Sequence, residues 1–578
     1  MISTGSTYTP LSKENWPKIE AIKLKDGSEL VMREGSLVAL VGPNNSGKSH
    51  FLAQLRAVLY GDSTADAKLS TGLIDSVRLC WPSRDFFGFL ETVADRVFSK
   101  RGEVWDANLP HAIYGESGVF TVRDIERLVD NGNALGPFVE AFVRYDEPLS
   151  RIGESEKQPL SDLSTALVRL QRQDAAYEAV QRDFEYIFDE KINFWSYGGN
   201  LSFFLGKSDV EIPKMTDAYS SQAIRFFESA PTIDRQGLGM RNVIGLLLRL
   251  YTDSRSIVLI DEPEAFLHPP QADRLGQIIG KVCKQERKQV ICATHDRSLI
   301  SGLSKGANEE IAIQRLGVER GVEQPYFSKA IGVEVLKDVR NKSRIRFTPV
   351  LESIFSSATV LVENEKDALF FEEALSHFNS HSPSEVPKNL RDSILFIPTN
   401  GNSNFASTRD LLKGLHSPTV VVGDLDLISD PKRLRKTVAS TGRGDAEKAG
   451  QLADQIVTRF RELHAGELDR VNKDSREGKV KKIVADQLKA QHPDPQIKGL
   501  VTEILELLEE SGVLLIPQGE LEDFDRTVTS SKDKNEWVRQ AIDHDVHRSG
   551  AVQDFISAIV RRVNREILLE RDRGMQVR

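Results

Sequence analysis

Short runs of consecutive apolar residues, four of the six ending at glycine or at carboxylates, divide the chain. Val38-Ala39-Leu40-Val41, Ile257-Val258-Leu259-Ile260, Val290-Ile291-Cys292-Ala293, Thr359-Val360-Leu361-Val362, Ile394-Leu395-Phe396-Ile397 and Thr419-Val420-Val421-Val422 read as buried strands. Helical periodicity follows several of them. Phe51, Leu52, Leu55, Val58 and Leu59 share one face, and Ala368, Leu369, Phe370, Phe371, Ala374 and Leu375 read as an apolar helix. Strands alternating with helices predict an α/β protein. Residues Lys18 to Val41 read as a hairpin around Asp26-Gly27 that leads into the first buried strand, and Phe194 to Phe204 as two strands around Gly-Gly-Asn.

Other stretches look different. Residues 61–190 read as largely helical, notably Phe86–Val97 and Leu160–Ile187, and form an insertion that shapes a dimer or partner surface. Residues 430–510 read as a second, charged helical insertion. The pattern Phe555, Ile556, Ile559, Val560, Val563, Ile567 predicts an amphipathic C-terminal helix packed on a sheet, with Arg561, Arg562 and Arg565 on or near its polar side. A basic connector, Lys337 to Arg346, ends at Phe347-Thr348-Pro349 and sets the expected domains at 1–345 and 346–578.

Composition narrows the class. The 578 residues are 40% hydrophobic and 28% charged, as in ordinary globular proteins. A net charge of −9 confines any nucleic-acid contact to local basic faces. Cys80, Cys283 and Cys292 lack metal spacing and suit a reducing compartment. With no secretory pattern at Met1-Ile2-Ser3-Thr4-Gly5 and no apolar run near ~18 residues, a cytoplasmic protein without a membrane span is expected.

Candidate chemistry begins at Gly42-Pro43-Asn44-Asn45-Ser46-Gly47-Lys48-Ser49, which fits G-x-x-x-x-G-K-[ST] between a strand and a helix. Gly42 and Gly47 let successive N–H groups turn toward an anion, Lys48 reaches the outer phosphates of ATP, and the Ser49 hydroxyl holds Mg²⁺. Asp261 and Glu262 close a buried strand. Asp261 is placed to hold Mg²⁺ indirectly and Glu262 to polarise an attacking water. His295, after another strand, is placed to contact the γ-phosphate. Gly237-Leu238-Gly239 opens a helix and can present amides to phosphate.

In this order the elements resemble an ABC-type ATPase head of the recombination-repair and SMC-like group, over roughly residues 18–330 apart from the insertion. The resemblance implies a homodimer or higher oligomer in which Gly237 and Gly239 contact the nucleotide of the opposite protomer. The usual Leu-Ser-x-Gly signature is replaced here by Arg235-Gln236-Gly237-Leu238-Gly239.

A second acidic set follows. Glu363 ends one strand, with Asp367 four positions on, and Asp424-Leu425-Asp426 ends another. Carboxylates from separate strand tips make an oxygen-only site suited to Mg²⁺ or Mn²⁺. Val362-Glu363-Asn364-Glu365-Lys366-Asp367 and the Asp-x-Asp resemble the motifs of a Toprim domain, with Asn364 in place of glycine; asparagine tolerates the left-handed backbone such a turn would need. Head plus Toprim resembles the OLD (overcoming lysogenization defect) family of nucleases, including the ATPase–nuclease subunit of Gabija-type antiphage systems. Pro349–Phe355 matches the family's linker helix, and Val513–Phe524 its last Toprim strand and Gly-x-Leu-Glu-Asp turn. The resemblance implies that Glu522 joins the metal site, with Glu520 and Asp523 nearby, and that Lys532 or Lys534 stabilises the scissile phosphate.

The expectation is therefore an α/β chain with two parts. An ABC-type P-loop head with a helical insertion would precede a Rossmann-like Toprim domain with its own. ATP and Mg²⁺ (or Mn²⁺) would serve an endonuclease acting on DNA in antiphage defence. Alternatives are an RNA or tRNA target, or an ATP-dependent sensor or scaffold whose Toprim domain binds a partner. A second protein encoded nearby is a further candidate partner. The run Pro431-Lys432-Arg433-Leu434-Arg435-Lys436 reads equally as a solvated helix face or a phosphate contact.

Overall fold

The apolar runs become strands buried along their whole length: β3 (Leu37–Val41), β12 (Ile257–Asp261) and β13 (Gln289–Ala293), numbered in chain order. The computed structural model describes residues 18–60, 72–80, 96–98, 112–115, 118–121, 140–144, 154–156, 170, 173–195, 200–206, 220–252, 256–318, 326–332, 334–335, 349–382, 384, 386–468, 473–490, 494–528 and 534–576. They fall in two compact units, Met1–Val333 and Glu334–Arg578. The basic connector read at 337–346 lies outside the described residues.

In the first unit a six-stranded sheet has the order β15 (Tyr326–Ile331), β14 (Ile311–Val318), β3, β13, β12, β8 (Glu140–Arg144), with β15 antiparallel to β14 and the other pairs parallel. Ala293 pairs with both Leu40 and Asp261, so β3, β13 and β12 end at one edge of the sheet. The helix Lys48–Tyr60 buries Phe51, Leu52, Leu55, Val58 and Leu59, as its periodicity predicts. Pro269–Gln285 and Arg297–Gly306 form a helix pair at backbone contact. A Cβ on Gly302 would lie 2.0 Å from the Asp273 carbonyl, and one on Gly276 2.5 Å from that of Leu299. Only glycine permits that approach.

The hairpin at Asp26-Gly27 forms as β1 (Lys18–Leu24) and β2 (Glu29–Val31), and β4 (Ile74–Cys80) joins β1 on the other side. That last strand begins a correction to the helical reading of 61–190. The described residues there are mostly strands, with β5 (Arg96–Phe98), β6 (Ala112–Gly115), β7 (Gly118–Thr121), β8 and β9 (Glu154–Glu156), and the one long helix is Asp174–Phe188. Short strands such as Ile74-Asp75-Ser76-Val77-Arg78-Leu79 are specified by cross-strand partners rather than by a local period, which is why the helical pattern misled. The remainder of Phe86–Val97 and Leu160–Ile187 lies largely outside the described residues. β10 (Ile192–Trp195) and β11 (Asn200–Leu205) pair antiparallel across Gly-Gly-Asn, as expected.

The second unit is built on a parallel four-stranded sheet ordered β17 (Ile394–Pro398), β16 (Ala358–Val362), β18 (Thr419–Gly423), β19 (Val513–Leu515). One face packs against the helices Glu365–His381 and Gly550–Gln576 through a core that includes Phe370, Phe371, Phe555 and Ile559. The C-terminal helix thus covers the sheet, but Arg562 is not on a polar face. It is 3% exposed and paired with Glu566, which also meets Arg443, because a buried guanidinium is tolerated only when a carboxylate neutralises it. Between β18 and β19 the described chain is helical at Pro431–Thr441, Ala446–Leu463, Ala465–Leu468, Lys473–Lys489 and Pro495–Glu510. No helix among the described residues is long and apolar enough to cross a membrane. Cys283 and Cys292 are buried free thiols.

Candidate functional sites on two strand edges

At the edge where β3 ends, Gly42 takes φ +143, and a Cβ there would lie 2.2 Å from the Leu316 carbonyl. Asn45 (φ 62) and Gly47 (φ 92) complete the curl, and Ser46 is buried inside it. Lys48 folds its ammonium onto the loop, donating to the carbonyls of Gly42 at 2.9 Å and Pro43 at 3.1 Å. Burial pulls that ammonium below its usual pKa, against the opposing pull of Glu262, Asp261 and Glu264. Ser49 donates to Asp261 at 3.2 Å, so the two expected magnesium-holding groups meet across 212 positions of sequence. Pro43 and Asn44 lie on the outer part of the same loop.

Glu262 sits at φ +49, a backbone state costly for a residue with a side chain, held by its N–H to the Ala293 carbonyl at 2.9 Å. His295 Nδ1 lies 3.3 Å from Glu262 Oε1 and 3.5 Å from Glu264 Oε1. Glu264 has no role in the sequence reading, yet it is buried at this edge beside Asp261. It accepts from Thr294 Oγ1 at 2.6 Å and from the His295 N–H at 3.1 Å, and burial raises its pKa to about 7. The signal was present, since Glu264 stands three positions beyond Asp261 in the same motif.

The two glycines of the predicted trans contact differ. Nothing lies within 4 Å of a Cβ built on Gly237, whereas one on Gly239 would lie 2.5 Å from the Phe266 carbonyl of its own chain. Gly239 therefore lets the helix Leu238–Thr252 seat against the turn after Glu264. Leu238 and Phe266, beside it, are 50% and 62% exposed.

In the second unit Glu363 follows β16 and Asp424 follows β18, neighbouring parallel strands. Oxygens of Glu363, Asp424 and Asp426 all lie within 4.8 Å of one another. Three carboxylates from two strand tips fit a divalent metal, since oxygen-only donors suit hard cations. Asp367 is not in that group. It is buried in the first turn of Glu365–His381 and accepts the Asn364 N–H at 2.9 Å, with Asn364 as helix cap. The spacing is a capping box, in which one carboxylate oxygen serves the helix start. Asn364 takes φ −134, so the left-handed turn expected of it is not used. The left-handed turn is instead at Asn400 (φ 56) and Gly401 (φ 108), where the Gly401 N–H donates to the Glu363 carbonyl at 2.9 Å.

Glu522 also stands outside the 4.8 Å cluster, on the turn Leu521–Phe524. That turn is fastened to the Asp-x-Asp by the Leu425 N–H donating to Gly519 at 2.8 Å. Lys532 lies outside the described residues, and Lys534 is the first residue of the helix Lys534–Asp543. The basic run is divided: Arg433 bonds Asn402, Arg435 pairs with Asp454 at 2.7 Å, and Lys432 and Lys436 are exposed. Sequence reading missed Lys489, whose ammonium pairs with Glu520 beside this edge; nothing local marks a lysine so far from the acidic motifs.

Comparison with known proteins agrees with this division. Residues 205–301 match the family model described as "AAA domain, putative AbiEii toxin, Type IV TA system". Residues 354–426 match "Overcoming lysogenization defect protein-like, TOPRIM domain". No curated protein matches. Similar solved structures include an SMC head bound to the C-terminal winged-helix domain of ScpA, at 15% identity and TM-score 0.32, covering 55% of this chain and 99% of that one. Another is the SMC head domain from Thermotoga maritima, at 15% identity and TM-score 0.30, with the same coverage of 55% and 99%. The matched domains are those of an ATPase and a metal-dependent nuclease. An AAA-type ATPase domain followed by an OLD-like TOPRIM domain is the makeup of an OLD-family ATPase–nuclease, and this chain fits that family.

Proposed function

We propose that the protein is an ATP-gated endonuclease that cuts or nicks DNA, acting in the cytoplasm in defence against phage. The observation that carries the nuclease half is the meeting of Glu363, Asp424 and Asp426 within 4.8 Å at adjacent strand tips. Those carboxylates would hold Mg²⁺ or Mn²⁺, with Glu522 close by on its turn. A divalent ion there supplies water activation and leaving-group stabilisation for phosphodiester cleavage. The chain's own part is to gather the charge: β16 and β18 fix two carboxylates by sheet register, and the Leu425–Gly519 bond fixes the turn that carries the fourth.

In the head, the Gly42–Ser49 loop would cradle the phosphates of ATP, with Lys48 exchanging its loop carbonyls for them. Ser49 and Asp261 would hold Mg²⁺, and Glu262, braced by His295, would orient the attacking water. We further propose a homodimer or higher oligomer through the heads. Gly237 is open, and Leu238 and Phe266 put apolar surface beside it, which a second copy would cover. Nucleotide would then bias the nuclease by favouring one arrangement of the dimer.

The test is a paired assay on the purified chain. Supercoiled DNA, linear DNA and total tRNA are incubated with Mg²⁺ or Mn²⁺, with and without ATP, alongside phosphate release. DNA cleavage that depends on Asp424 and Asp426 supports the proposal. Cleavage confined to tRNA would replace its substrate, and no cleavage of any would favour a sensor role.

A further inference from the structure

The nuclease edge is crowded with negative charge. Besides the triad it carries Glu520, Glu522 and Asp523, and a metal held by the triad neutralises only part of that. A polyanionic strand approaching such an edge needs cations close to the reacting phosphate. The helix Lys473–Lys489 supplies one. It packs against the segment Leu425–Ser429, which contains Asp426, and ends at Lys489. The Lys489 stem crosses the turn, because a Cβ on Gly519 would lie 2.7 Å from its Cγ, and its ammonium pairs with Glu520. Gly519 is the residue whose carbonyl holds Leu425, so the lysine lies over the hinge between the Asp-x-Asp and the Glu522 turn.

We propose that Lys489 grips the nucleic-acid backbone next to the cleavage site, its ammonium leaving Glu520 for a phosphate oxygen. The proposal rests on the nuclease reading above. Several features make Lys489 exchangeable rather than a fixed strut. Its side chain is 23% exposed and that of Glu520 30%, so the pair is partly covered yet open on one side to an incoming phosphate. The Glu520 turn stays fixed after the exchange, since the Glu520 N–H donates to Asp523 Oδ2 at 3.0 Å and its carbonyl accepts from the Asp523 N–H at 3.1 Å. The helix stays anchored too, because Lys481 holds Asp430 at 2.9 Å about 12 Å further back along its axis. Although partial burial works against its charge, Glu520, Asp523 and Asp424 keep the Lys489 ammonium above its usual pKa, so it meets a phosphate fully charged.

A tether and a phosphate grip predict opposite outcomes for the partner carboxylate. The experiment measures binding of a fluorescently labelled DNA oligonucleotide to the full chain by anisotropy across a salt series in Mn²⁺, with cleavage followed in parallel. Lys489→Ala should weaken binding about 10-fold and reduce the slope of log affinity on log salt by about one. Lys489→Arg should restore both. Glu520→Gln frees the lysine and should bind as tightly as wild type or more so. Equal weakening in Lys489→Ala and Glu520→Gln, with the slope unchanged, would make the pair a tether and overturn the grip. Should Lys489→Ala fold poorly, weakened binding in Glu520→Gln alone overturns it, as does absence of DNA binding by wild type. Wild type that binds but never cuts would instead refute the nuclease reading, while the binding series still decides for or against Lys489.

Discussion

Replacing Glu264 by glutamine should change how the stability of the head depends on pH. Glu264 is 6% exposed and accepts bonds at 2.6 Å and 3.1 Å, and its pKa rises to about 7 from an ordinary 4.5, chiefly by burial. The folded state therefore holds a proton that the unfolded chain releases above about pH 4.5. Below that pH both states are protonated and the residue imposes no penalty. As pH climbs toward 7 stability falls, and above 7 the deficit is constant. A shift from 4.5 to about 7 corresponds to roughly 3 kcal/mol at about 1.4 kcal/mol per unit. Glutamine keeps the accepting oxygen but does not titrate. The gain of Glu264→Gln over wild type should thus grow by roughly 3 kcal/mol between pH 4.5 and pH 8, whatever its offset at pH 4.5. The assay is urea unfolding of nucleotide-free protein in EDTA at several pH values, followed by hydrogen exchange at amides of β3, β12 and β13 so that the head is read by itself. Parallel curves for the two proteins would refute the reasoning, and a gain that shrinks with pH would reverse its sign.

Other outcomes follow from the same geometry. Gly42→Ala places a methyl 2.2 Å from the Leu316 carbonyl at φ +143, so ATP binding by titration calorimetry should be lost, with strain of about 1–3 kcal/mol appearing in unfolding experiments. Lys48→Ala should abolish ATP binding, whereas Glu262→Gln should bind ATP and release phosphate more slowly; equal affinity in wild type and Lys48→Ala would remove the assignment. In the Glu262→Gln protein ATP should also raise cross-linking between heads. Asp424→Ala with Asp426→Ala should cut DNA cleavage on the order of 100-fold or more while phosphate release from ATP persists. Without metal that double variant should be at least as stable as wild type, since it relieves repulsion among three clustered carboxylates.

The sites were legible where chemistry is written into a strand end. Val38–Ser49, Ile257–Glu262 and the Asp-x-Asp each carry a buried run and its acidic or glycine terminus within a dozen positions; the first two meet at one edge of the head sheet, and the Asp-x-Asp meets Glu363 at one edge of the second sheet, because parallel neighbours end together. Less visible were features that depend on remote partners. β8 completes the main sheet beside β12, but Glu140–Arg144 has no meaning as an edge strand until β12 is there. Gly276, Gly280, Gly302 and Gly306 repeat at four-residue spacing, a pattern open to reading as close helix contact, yet their partner helix shows only in the fold. Asp367 shows another limit: Asn364-x-x-Asp367 carries both a helix cap and a motif resemblance, and the sequence reading gave only the second. Lys489 reaches the acidic edge only through helices inserted between β18 and β19.

That insertion also sets an order of events during synthesis. Leu425 and Gly519 hold each other across about 90 positions, a separation whose closure entropy must be met before the contact forms. At ~5–20 residues per second, a ribosome delivers β19 on the order of 5–20 s after the Asp-x-Asp has emerged. Throughout that interval β18 presents an unpaired edge, the kind of surface on which nascent chains stick to one another. The acidic triad is complete by residue 426, but the turn bearing Glu522 is not yet made. On the proposed nuclease reading the growing chain is thus an unfinished cutter with an open edge, and the last strand both seals that edge and leads into the turn that bears Glu522.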